Sequence, residues 1–201
     1  MENRILIIGD ELLGEQGEVA TRCAEMLLCR APNRPMQFSI NSPIPLLLPQ
    51  LLSRAASDII GKKAGRIVLG LGLHDLTRGE HGNGAKTAEN YGNLVRELVS
   101  KTQSDIFVET IPCDLLPDAS DQIEVINEAI RGFESEFPGR VKVLDFASHA
   151  QFFKEKQVER GKFARSLYSD EAKPTSLCIT LHSLFLQDCI LKEIKENKEM
   201  I

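Results

Sequence analysis

The residues of this chain that could do chemistry stand just after its apolar runs. In "ILIIGDELLGE", Ile5 to Glu15, an unbroken apolar run enters Gly9, and Asp10 and Glu11 follow at once. "IVLGLGLHD" places His74 and Asp75 a few residues past Ile67–Leu71, and "FVETIPCD" does the same for Cys113 and Asp114. A carboxylate at such a position can act as acid, base or nucleophile, and a histidine can orient it or share its proton. Cys113 and His74 could form a nucleophile–base pair. Asn41–Ser42 and Ala147–His149 are the other positions of this kind. The four histidines are scattered, without HxxxH or HxH spacing, so no metal set is visible. No cofactor is implied either. "RGEHGNG", Arg78 to Gly84, lacks the order of a phosphate-binding loop and reads as a loop at the mouth of the site, with His81 in it.

Elements must position these groups, and the pattern supplies them. Apolar runs at Ile5–Ile8, "MQFSIN", Ile67–Leu71, "DIFVETIP" and Val141–Phe146 read as strands. Helical stripes lie between them over Gly17–Arg30, over Leu47–Ile60, and on Ala88, Tyr91, Leu94, Val95 and Leu98. A further stripe is carried by Ile123, Ile126, Ala129, Ile130, Phe133 and Phe137. Pro174–Lys195 closes the chain as a helix with proline in its first turn. Lys154–Lys173 is the least structured stretch and reads as a solvated helix or flap. Five strands alternating with helices predict an α/β, three-layer αβα domain over 1–201, with a five-stranded parallel flavodoxin-like sheet. Sites in such sheets lie beyond the carboxyl ends of the strands.

Composition narrows the function classes. The net charge of −5 disfavours a nucleic-acid binder. No apolar run is long enough for a membrane helix, and "MENRILIIGD" lacks the features of a signal peptide. The five cysteines, odd in number and without CxxC spacing, suit free thiols in a cytoplasmic protein. Cys23, Cys29, Cys178 and Cys189 read as packing residues.

In order along the chain, the blocks resemble those of the SGNH hydrolases, the GDSL lipases and esterases. "ILIIGDELLGE" is similar to their first block, a strand ending in Gly-Asp-Ser. "IVLGLGLHDLTRG" is similar to the third, a strand ending in Gly-x-Asn-Asp. "YSDEAKPTSL" is similar to the last, Asp-x-x-His-Pro. The resemblance spans almost the whole chain and implies an esterase fold. It also places the family's nucleophilic serine on Glu11, its oxyanion asparagine on His74 and its catalytic histidine on Lys173. Asp170, which the family uses to orient the histidine, keeps its type. The second block, whose glycine gives a backbone N–H to the oxyanion, falls on "NSPIPL" without a glycine. Serine ester hydrolysis needs nucleophile, base and oxyanion donors together. The expectation is therefore a degenerate site in an SGNH-like protein that binds a small molecule or a protein, with a Glu11–Lys173 salt bridge closing the former site. The alternative is a hydrolase on ester-type substrates that uses Glu11, His74 and Lys173. A phosphoacceptor receiver domain shares the topology but not the spacing: Lys173 comes a strand and a helix too late.

Overall fold

The computed structural model describes residues 3–33, 35–79, 83–160, 166–169 and 173–199, with side chains as far as 194. Five strands form one parallel sheet: β1 (Arg4–Gly9), β2 (Gln37–Asn41), β3 (Arg66–Gly70), β4 (Asp105–Glu109) and β5 (Val141–Leu144). Their order is β2-β1-β3-β4-β5, the expected flavodoxin-like arrangement. In register, Ile5 pairs with Arg66 and Gly9 with Gly70, so the tips of β1 and β3 are level.

The sheet is covered on both faces, which is why its strands read as continuous apolar runs rather than alternating ones. Leu6, Ile8, Ile67, Leu69, Ile106 and Val108 belong to one core layer, and Ile5, Ile7, Val68 and Phe107 to the other. The second layer is closed by α1 (Glu18–Arg30) and α8 (Ser176–Glu199). The first is closed by α2 (Leu48–Ser53), α3 (Ala55–Asp58), α5 (Gly84–Lys101) and α6 (Ser120–Glu136). Two further helices are α4 (Leu73–Arg78) and α7 (Phe146–Glu159).

The structure departs from the pattern reading in four places. The closing helix begins at Ser176, so Pro174 lies outside its first turn, in a bridge with Tyr168. The Leu47–Ile60 helix is broken at Arg54 into α2 and α3, followed by a 3-10 turn over Ile60–Lys62. The Ser53 and Ser57 hydroxyls bond back to the carbonyls of Gln50 and Arg54, competing with the helical ladder. Leu48, Leu51, Ala55 and Ile59 stay buried across the break, so the apolar stripe survives it. The short α4, too brief to show a period, opens directly after β3. Helix α7 starts at Phe146, where the reading extended β5, and runs on to Glu159, into the stretch read as a solvated helix or flap. The Asp145 carboxylate caps α7 by accepting from the Ser148 N–H (3.2 Å), which ends the strand early.

Candidate functional site

The tips of β1 and β3 build the site. Beyond Gly9 the chain makes a 3-10 turn over Glu11–Leu13, and beyond Gly70 it enters α4 through Gly72. Gly72 has φ of +107°, a conformation that favours glycine. Gly9 is needed for space: a Cβ there would lie 2.3 Å from Leu13 Cδ1.

Asp10 is fully buried and joins the two tips. Its carboxylate accepts from the N–H of Leu12 (2.9 Å) and of His74 (3.0 Å). Burial pushes its pKa up to about 7, against the pull of those backbone donors. Asp75 is also buried and accepts the Leu48 N–H, 3.1 Å from both its oxygens. Burial raises its pKa to about 6. Both aspartates are thereby committed to holding α4 and α2 in place.

Glu11 is only partly covered, its side chain 31% exposed. Both its oxygens lie on His74 Nδ1, at 2.9 and 3.0 Å. The Arg78 guanidinium, one turn further along α4, stands 4.0 Å from the same carboxylate. Lys173 reaches Glu15, at 3.4 Å. The two ends of the expected Glu11–Lys173 bridge are thus each engaged with another partner. Asp170 and His81 lie outside the described residues.

The structure does not bring Cys113 together with His74. Cys113 lines a cavity of about 320 Å³ beyond β4 and β5, whose walls include Glu124, Arg131, Gln151 and Phe152 but none of Asp10, Glu11, His74 or Lys173. Its thiol lies 3.7 Å from a Glu124 oxygen. Burial, then the Glu124 charge, raise its pKa, which is the opposite of nucleophile activation. His149 is a half-buried ring beside Phe146 and Phe185.

The segment at the family's second block offers few donors. Pro43 and Pro45 have no N–H, and the N–H of Ile44 between them is donated to Gly9 O at 2.8 Å. Oxyanion stabilisation by this backbone is therefore absent from Pro43 to Pro45.

Several solved structures resemble this one over nearly their whole length. An acetyl xylan esterase, AlAXEase, superposes with a TM-score of 0.73 at 15% identity, covering 93% of this chain and 99% of its own. A GDSL-like lipase from Parabacteroides merdae gives 0.72 at 16%, covering 93% and 94%. The acetylxylan esterase Axe2 from Geobacillus stearothermophilus gives 0.68 at 15%, covering 96% of each chain. The fold is that of the SGNH hydrolases. No protein-family model matches the sequence, and no curated protein matches it either. Variants of Axe2 described as catalytic mutants replace a serine, an aspartate and, three positions later, a histidine.

Sequence reasoning found Asp10, Glu11, His74 and Asp75, which the fold does bring together. It missed Arg78, which lies one helical turn past His74, because α4 itself was not legible. It also missed Glu109 at the end of β4. Glu109 is fully buried and hydrogen-bonded to the equally buried His182 of α8, whose ring stacks on Phe146 with centroids 3.7 Å apart. A glutamate inside the run "IFVETIP" was the available signal.

Proposed function

We propose that this chain is an SGNH-fold protein without serine esterase chemistry, acting as a binding module for a small molecule or a protein in a reducing, cytoplasmic setting. One observation carries the reading. At the position the family gives to its nucleophile stands Glu11, and both its oxygens lie on His74 Nδ1. The supporting losses are those of a unit that works only as a unit: Lys173 at the histidine position, and no N–H to spare between Pro43 and Pro45. The free cysteines agree with the compartment.

A second reading has its own support. A carboxylate on the Nδ1 of a histidine is the arrangement by which a base is oriented. A hydrolase with altered residues, built on Glu11 and His74, is therefore the alternative. Hydrolysis of a short-chain aryl ester by wild type, Glu11→Ala and Cys113→Ala separates the two. The first reading expects no rate above background in any of them. A wild-type rate that is lost in Glu11→Ala would overturn it and establish the second.

A further inference from the structure

The roles within the Glu11–His74 pair are not interchangeable. Glu11 places both oxygens within 3.0 Å of a single ring nitrogen, so the carboxylate is spent on Nδ1. Near neutral pH an ionised carboxylate only accepts hydrogen bonds, so a bond to it requires Nδ1 to carry a hydrogen. In a neutral imidazole the lone pair is then on Nε2. No described residue hydrogen-bonds Nε2, although the His74 side chain is only 11% exposed. The ring's backbone is fixed as well, because the His74 N–H is held by the buried carboxylate of Asp10. The titratable and charged groups around the pair are the buried Asp10 and Asp75, and Arg78 beside Glu11.

We infer that His74 Nε2 is the ligand-facing atom of this site, a hydrogen-bond acceptor for an O–H group of water or of a hydroxyl-bearing small molecule, and that Glu11 is its positioning residue. This inference rests on the reading that the side-chain cluster at the tips of β1 and β3 is the functional site. It changes what Glu11 does: the glutamate is neither a plug nor a nucleophile, and it acts through the ring. Should a bound O–H give up its proton, the proton moves to Nε2 and the positive charge on the ring is balanced by the carboxylate on Nδ1.

Nitrogen-15 NMR of the histidine rings tests the assignment without needing an activity. In wild type, with the ring neutral, the expected tautomer of His74 is Nδ1–H over Nε2–H by at least tenfold. Glu11→Leu should lower that ratio by at least tenfold, with backbone spectra confirming that the variant is folded. Diethyl pyrocarbonate supplies the second measurement: Nε2 attacks its carbonyl, an N–C bond forms, and ethyl carbonate leaves. His74 should be acylated at Nε2, and several-fold more slowly in Glu11→Leu. An Nε2–H tautomer in wild type, or acylation at Nδ1, would overturn the inference. The ester assay judges the non-esterase reading separately, so that reading and this inference can each fail alone.

Discussion

At the scale of the residue, the site is a set of carboxylates that have been given different tasks by their surroundings. Asp10 has lost its water and holds two backbone donors, whereas Glu11, the next residue, keeps solvent and holds a ring. The raised pKa of Asp10 has a thermodynamic consequence. An aspartate in the unfolded chain titrates near its ordinary value of about 3.9, and Asp10 in the folded protein near 7. Between those values the folded protein binds more protons than the unfolded one, so stability from this group is full below about pH 4 and is lost as pH rises through 7. Asp75 acts in the same direction up to about pH 6. Asp145 acts in the opposite one. Burial works to raise its pKa, but hydrogen bonds from Arg131, Ser148 and Thr110 bring it below the ordinary value, so its contribution is lost on acidification. Urea unfolding across pH 4 to 7 should therefore show a falling component that Asp10→Asn removes. An unchanged pH dependence in that variant would refute the assignment.

At the scale of the element, α8 is pinned to the sheet by a buried polar pair. Glu109 and His182 meet between β4 and α8, and the second Glu109 oxygen has no hydrogen-bond partner. The carboxylate therefore depends on His182 alone. His182→Ala should cost roughly 3–5 kcal/mol in chemical denaturation, because it leaves a buried acidic group without its partner. Replacing both residues by leucine should cost much less, since the desolvation penalty goes with the pair. A loss under about 1 kcal/mol for the single variant would show that the pair is not what holds the carboxylate. Asn127 does a similar task for the loop after β4: its side chain bonds both the N–H and the carbonyl of Ile111, at 2.8 Å each. Asn127→Ala should cost about 1–3 kcal/mol, read by the same method.

At the scale of the whole molecule, the candidate site stands at the β1–β3 switch point, where open α/β sheets generally bind their ligands. That much was legible. The strand tips are marked in the sequence by the ends of apolar runs, and Asp10, Glu11, His74 and Asp75 could be named from them. What was not legible is how side chains at those tips choose partners. The opposite charges of Glu11 and Lys173 suggested a bridge, yet Glu11 faces His74 across the tips and Lys173 reaches Glu15. Cys113 also follows a strand, but β4 leads it into a different cavity. Periodicity misses α4 because six residues show little more than one turn, and it misses the break at Arg54 because the buried face continues through it.

The same scale explains why the site should be hard to convert. Restoring serine at Glu11, asparagine at His74 and histidine at Lys173 leaves the Pro43–Pro45 segment without an N–H for the oxyanion. The triple variant should show no aryl-ester turnover above background. A working esterase from those three changes would mean that the backbone of the second block is dispensable.

The central claim is that no serine nucleophile is activated in this chain. The most direct measurement is the intact mass of the purified protein after treatment with a fluorophosphonate, which labels activated serines covalently. The account predicts an unchanged mass. A stoichiometric adduct mapped to a serine in or beside the β1–β3 crevice would contradict it.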